Sequence, residues 1–235
     1  MTVLLLRLAG PMQSWGSESR FSRRATDMQP TKSGVLGLLA AARGSRRTDP
    51  LEDLLDLRFG VRADQPGTLQ RDFQTAKSLD GKQSMPLTYR FYLADAAFVA
   101  AVEGDAALLE GLDAALRAPT FPLYLGRRSC PPAGPVTLGL RDGDVESVLR
   151  AEPWHAAPFV RRRNGAPEVH VELVLDAVPG DDPERMVRDV PLSFDPELRS
   201  YGLRGVVRRR VALPNPDAPE QPADVHDPMS VLGGN

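Results

Sequence analysis

The stretch Thr2-Val-Leu-Leu-Leu-Arg-Leu8 is apolar at every position except Thr2 and Arg7, and it stops at a loop led by Gly10 and Pro11. A run this short cannot cross a bilayer, which takes about 20 apolar residues, and its continuous apolar character fits a central β-strand buried on both faces. The fold must then supply cover on both sides of that strand. An arginine inside the run and no small-residue cleavage site after it argue against a signal peptide, so a cytoplasmic location is expected. At 235 residues the chain has room for one large domain or one domain with a smaller appendage.

Beyond the loop Gly10–Gly16, Val35–Ala42 has helical composition and ends at Gly44, a good C-terminal stop. Asp49-Pro-Leu-Glu52 resembles a capped helix start, and Phe59–Val61 reads as a strand. The segment 64–90 lacks strong periodicity and is longer than an ordinary connection; Asp80-Gly81 marks a type I′ turn within it, so it is expected to form a hairpin arm reaching away from the body. Arg90–Val102 is expected as one long strand, Asp105–Arg117 as a helix and Val136–Leu140 as a strand. The order β-α(α)-β-[arm]-β-α-β is that of a split βαβ unit, so the fold class is α+β, with a ferredoxin-like N-terminal domain over 1–143 and its arm at 64–90. After a possible short helix, the alternation Val169, Val171, Leu173, Leu175 and a second strand at Val206–Leu213 make 144–213 a small β-rich C-terminal part. Residues 214–235, rich in Pro, Asp and Glu, read as a loosely held tail.

The net charge of −2 hides an uneven distribution: residues 1–50 carry 8 Lys+Arg against 3 Asp+Glu, and short arginine runs recur later in the chain. Basic charge gathered in this way is the footprint of a polyanion partner, although an arginine-rich composition also scatters pairs by chance. The single Cys130 excludes an intramolecular disulfide and a cysteine zinc cluster, and its expected role is a small packed side chain. The histidines, His155, His170 and His226, show no metal-pair spacing and all follow the N-terminal domain. Neither a metal nor a cofactor is expected. The aromatic triplet of the RNA-recognition motif is absent, so base stacking on the central sheet is not expected and RNA contacts are assigned to loops.

Two loops stand out. Pro30-Thr31-Lys32-Ser33-Gly34 opens a helix with no acidic residue, offering backbone donors, two hydroxyls and a cation where a phosphate would sit; a plain threonine cap with a solvated lysine is the alternative. Gly126-Arg127-Arg128-Ser129-Cys130, set among prolines, combines close backbone approach with two guanidiniums, or is simply a stiff turn with exposed arginines.

Taken together, Leu8–Gly16, Pro30–Ala42, Tyr92–Phe98 and Tyr124–Pro131 resemble the marker segments of the type I-E branch of the Cas-five family, in the same order. The resemblance implies a subunit of the Cascade CRISPR surveillance complex whose body holds the 5′ tag of the CRISPR RNA. It implies further partners: an adjacent backbone subunit gripped by the arm, the large target-recognition subunit and, indirectly, target DNA, with no membrane. Carried over residue by residue, Gln13, Ser14, Trp15 and Gly16 would form one wall of the tag site, Trp15 having a competing role in the core. Arg20, Arg23 and Arg24 are expected among the RNA-binding residues. Thr31, Lys32, Ser33 and Gly34 would form a phosphate cradle, and Gly126, Arg127, Arg128, Ser129 and Cys130 the opposite wall. Arg71, Gln74, Lys77 and Lys82 would be the contacts of the arm. In type I-C relatives the corresponding subunit cuts precursor RNA without a metal, using histidine and lysine; the lack of histidine before residue 155 sides with a non-catalytic role here. On this view Lys32→Glu weakens guide retention without loss of folding.

Overall fold

The structure, a computed structural model, describes residues 1–16 and 23–219. Its elements in chain order are β1 (Thr2–Ala9), β2 (Met12–Gln13), β3 (Arg23–Arg24), α1 (Lys32–Arg43), α2 (Glu52–Leu55), β4 (Arg58–Gln65), β5 (Thr68–Gln74), β6 (Thr88–Ala94), β7 (Ala97–Gly104), α3 (Ala106–Arg117), β8 (Thr137–Asp142), α4 (Val145–Ala151), α5 (Pro158–Asn164), β9 (Glu168–Asp176), β10 (Arg185–Ser193) and β11 (Ser200–Pro214). It is a mixed α+β fold in which nearly every strand pairing is antiparallel. Among the described residues no helix is long and apolar enough to cross a membrane.

A seven-stranded sheet has the order β10-β11-β9-β4-β7-β1-β8, with β1 paired to both β7 and β8. The apolar run at the N-terminus thus lies inside the sheet, and its side chains divide between two cores. Leu4, Leu6 and Leu8 face Val35, Leu39, Leu109 and Leu112 of α1 and α3. Val3 and Leu5 face the other layer, with Val148, Leu149 and Trp154. Period-two alternation of a strand covered on both sides produces this continuous apolar pattern.

The β-rich character of 144–213 takes the form of an extension of this sheet: β9 joins β4 through Gly60↔Leu175, Val61↔Val174 and Arg62↔Leu173. β10 has no strand signature in the sequence, because Arg185-Met-Val-Arg-Asp-Val-Pro interleaves charges with apolar residues at a sheet edge. The helix expected with Asp49 as its cap begins instead at Glu52 with Leu51 as cap, and the Asp49 carboxylate accepts the Arg46 backbone N–H at 2.7 Å. The long strand expected over Arg90–Val102 is split into β6 and β7 by Asp95, whose φ of 54° ends the extended run.

The arm is a second sheet. β4 passes into β5 and β6 passes into β7, while β2 and β3 pair with β6. Beyond β5 the chain reverses through Ser78–Gly81, closed by Gly81 N–H donating to the Ser78 carbonyl at 2.9 Å. Gly81 takes φ 72° while Asp80 is not in the left-handed region, so the glycine follows the turn and the expected type I′ geometry is replaced.

Candidate nucleic-acid interface

Strand β6 organises the site. Gln13 of β2 pairs with Leu93, Arg23 of β3 with Tyr89, and Arg71 of β5 with Phe91. The Ser14 hydroxyl donates to the Phe91 carbonyl at 3.0 Å, and Arg127 Nη1 donates to the same carbonyl at 3.0 Å. Segments 13–16, 23–27 and 125–130 are thereby brought together, and Trp15 joins them to the start of α1 by packing against Gly34.

Much of what the sequence offered as contact surface is scaffold. Gln13 is fully buried: its Nε2 donates to Leu8 O and Ala96 O, and its Oε1 accepts from Trp15 Nε1 at 2.9 Å. Trp15 is also fully buried, and a Cβ on Gly34 would stand 2.7 Å from its ring, so its core role prevails over that of a tag wall. Ser14 is buried with its hydroxyl committed to Phe91. Gly126 has φ 86° and lies so close to Ser14 that a Cβ would come within 1.8 Å of the Ser14 carbonyl oxygen; its close approach is to protein. Arg127 donates to Phe91 O, to Arg24 O at 2.7 Å and to Ala25 O at 3.3 Å, and lies 4.9 Å over the Tyr92 ring, clamping the β3 segment to β6. Cys130 is buried, and burial pushes its thiol pKa up, away from the thiolate.

The helix start at Thr31 departs furthest from the expectation. Thr31 Oγ1 caps Gly34 N at 3.1 Å, and α1 has no acid in its own first turn. The acid arrives from β10: Asp189 Oδ2 accepts the Lys32 backbone N–H at 2.8 Å. Lys32 is only 6% exposed, and its Nζ lies 3.0 Å from Asp176 Oδ2. Arg204 completes the set, with Nε 2.6 Å from Asp189 Oδ1 and Nη1 2.6 Å from Asp176 Oδ1. Burial opposes the Arg204 charge, but the hydrogen bond and charge of Asp189 and the charge of Asp176 outweigh it and raise its pKa. The phosphate cradle read from Thr31, Lys32 and Ser33 is therefore corrected: protein carboxylates already occupy it, and Thr31 and Ser33 are buried as well.

Gly16, Arg23, Arg24, Gly126, Arg128 and Ser129 remain exposed around β6, and on the arm so do Arg71, Gln74, Lys77 and Lys82. Arg20 lies outside the described residues, as does His226. Sequence reasoning missed the aromatic residues. Arg23 lies 5.3 Å over the Phe91 ring and Arg71 lies 5.4 Å over the Tyr89 ring. The signal was Tyr89-Arg90-Phe91-Tyr92, aromatic and basic residues interleaved at strand spacing. Among the described residues, no group of three or more His, Cys, Asp or Glu side chains could hold a metal ion. His155 packs at the root of the arm, where its backbone N–H reaches Asp64 Oδ2 and its Nε2 lies 2.8 Å from Glu152.

Residues 3–207 match the family described as CRISPR-associated protein (Cas_Cas5). The chain belongs to this family. It is 37% identical over 173 residues to the CRISPR system Cascade subunit CasD of Escherichia coli (strain K12), an alignment covering 64% of this chain and 77% of that protein. Among solved structures, one titled as a Cas protein crystal structure superposes with a TM-score of 0.71 at 41% identity, covering 94% of this chain and 99% of the other. A chain from a CRISPR RNA-guided surveillance complex superposes with a TM-score of 0.75 at 34% identity, covering 97% of this chain and 98% of the other.

Proposed function

We propose that this Cas5-family chain is a non-catalytic subunit of a Cascade-type CRISPR surveillance complex. Its body holds the 5′ tag of the CRISPR RNA and caps the backbone, its arm rests on the adjacent backbone subunit, and the large target-recognition subunit and target DNA lie beyond. The body, residues 1–143, is ferredoxin-like on this reading, which the antiparallel order β4-β7-β1-β8, with α1 and α3 packed on one face, supports. Residues 144–213 act as its brace.

The observation that carries the reading is that segments 23–27 and 125–130, which bear exposed Arg23, Arg24 and Arg128, meet along β6 on a scaffold fixed by Gln13, Ser14 and Arg127. Forked guanidiniums on a rigid base suit phosphates of a fixed path. Repeat RNA binding by the protein, titrated at several salt concentrations, should weaken as salt rises, with a slope that reports the phosphates neutralised. Arg24→Ala and Arg128→Ala should each lower that slope by about 1. A slope unchanged in both variants would remove these arginines from the site.

The competing reading, a metal-independent endoribonuclease, is decided by incubating end-labelled repeat RNA with the protein in EDTA. Intact RNA is expected on a denaturing gel; a discrete protein-dependent cut would replace the binding assignment with a processing one.

A further inference from the structure

We infer that one face of the arm sheet is a stacking platform for unpaired bases, built from Phe73, Tyr89 and Phe91 with Arg23 over the Phe91 ring and Arg71 over the Tyr89 ring. The inference rests on the guide-binding reading and gives this surface a contact mode of its own.

Alternation in β6 puts Tyr89, Phe91 and Leu93 on one face and Thr88, Arg90, Tyr92 and Ala94 on the other. Residues opposite one another in an antiparallel pair share a face, so Phe73 joins Tyr89, Arg71 joins Phe91 and Leu69 joins Leu93. Arg23, paired with Tyr89 from the other side, lies over the Phe91 ring at 5.3 Å, which places it on the same face. Arg71 lies over Tyr89 at 5.4 Å. Phe73 is 67% exposed and Tyr89 40% exposed, and Arg23 and Arg71 are exposed too. The acids separate cleanly: Asp72 falls on the opposite face with Arg90, and none of Leu69, Arg71, Phe73, Tyr89, Phe91, Leu93 and Arg23 is acidic.

Rings with guanidiniums over them at strand spacing meet the needs of single-stranded nucleic acid. Bases stack on ring and guanidinium planes alike, and the arginines carry charge toward the phosphates between. A protein partner would use the same apolar area but would not need the π-faces. That difference makes leucine the informative replacement, since it keeps apolar bulk and removes the ring.

The probe is a single-stranded RNA oligonucleotide carrying 2-aminopurine, whose fluorescence falls on stacking, bound to the full-length protein. Wild type should quench it. Phe73→Leu and Tyr89→Leu should each reduce quenching and weaken binding by about tenfold, from the usual worth of one base–aromatic stack. Arg128→Ala, off the platform, should weaken binding while leaving the quench of the bound probe intact. Equal quenching and affinity in wild type and both leucine variants would overturn the platform and leave guide binding standing. RNA binding retained in the leucine variants, with loss of co-purifying neighbouring subunits, would overturn it in favour of protein docking. A wild-type protein that binds no RNA, alone or in the complex, would overturn the guide-binding reading itself. Phe73 is exposed on a strand whose residues are all exposed, so Phe73→Leu keeps the test valid if Tyr89→Leu compromises folding.

Discussion

Lys32 shows how a correct local observation can acquire the wrong cause. The missing acid at the start of α1 was legible in the sequence, and a missing acid there does call for an anion. The anion is Asp189, 157 positions along the chain, and no local pattern announces a pairing at that separation. Lys32→Glu therefore tests stability before it tests guide retention. A carboxylate placed beside Asp176 and Asp189 leaves buried charge unpaired, and a loss of about 3–5 kcal/mol is expected by thermal or urea unfolding. Lys32→Met, which keeps the apolar stem, should lose less. Gly126 gives a second expectation of the same kind: Gly126→Ala forces a side chain into φ 86° and onto the Ser14 carbonyl, so unfolding should come at least about 2 kcal/mol earlier. Gly126 and Gln13 were visible in the sequence as important residues. Their partners, backbone groups on other elements, were not.

Among the elements, the most legible were those whose signals are local. The helix Ala106–Arg117 was read almost to the residue, because Asp105 caps it by accepting from Leu108 N at 3.0 Å, and Ala118 and Pro119 close it. Within 64–90 the chain reversal near Asp80-Gly81 is legible, but the face pattern is hidden because every residue of β5 is exposed and hydrophobic alternation needs a buried face to mark. Exposure also sets an expectation for the arm. Leu69, Phe73, Leu79, Met85 and Leu87 all lie at the surface, more apolar area than a hairpin keeps uncovered in an assembly. Limited proteolysis should cut within 64–90 in the free protein and spare it in the complex; equal cutting in both would mean the arm is not an assembly element. The helix cap Asp144 and the ion-paired Asp53 carry a pH dependence. Ser147 backbone and side-chain hydrogen bonds hold the Asp144 carboxyl below its ordinary pKa, and Arg43 does the same for Asp53. A lowered folded pKa means both contributions are fully present above the ordinary range, near pH 4, and are lost as pH falls through the folded values. Acid unfolding of Asp144→Ala should accordingly show a shallower loss of stability below pH 4 than wild type.

For the molecule as a whole, the question is whether residues 144–219 ride on the body or complete it. Arg62 and Asp64, wholly buried, pair through Nε to Oδ1 at 2.6 Å and Nη2 to Oδ2 at 2.9 Å. Arg62 also donates to the carbonyls of Leu149, Glu152 and Pro153, and Trp154 Nε1 donates to the Asp64 carbonyl. Every one of those outer partners lies beyond residue 143. The cluster Lys32, Asp176, Asp189 and Arg204 ties the same two parts together across the opposite end of β4, where the Phe59 N–H also reaches Asp176. Without residues after 143, Val3, Leu5, Val99 and Ala101 lose the layer that covers them, and β4 becomes an open edge. Arg62 would then keep its ion pair with Asp64 but lose its carbonyl acceptors, an under-satisfied guanidinium in what was core. A chain ending at residue 143 should therefore fail to give a cooperative unfolding transition, and amide exchange in β1 and β4 should be fast, whereas the intact chain should protect both strands. Cooperative unfolding and protected β1 amides in the truncated chain would show that the body folds alone and that the C-terminal strands are an addition. The Lys32–Asp176 ion pair and the Arg62 hydrogen bonds to the Leu149, Glu152 and Pro153 carbonyls make the first outcome the expected one, because both span the division.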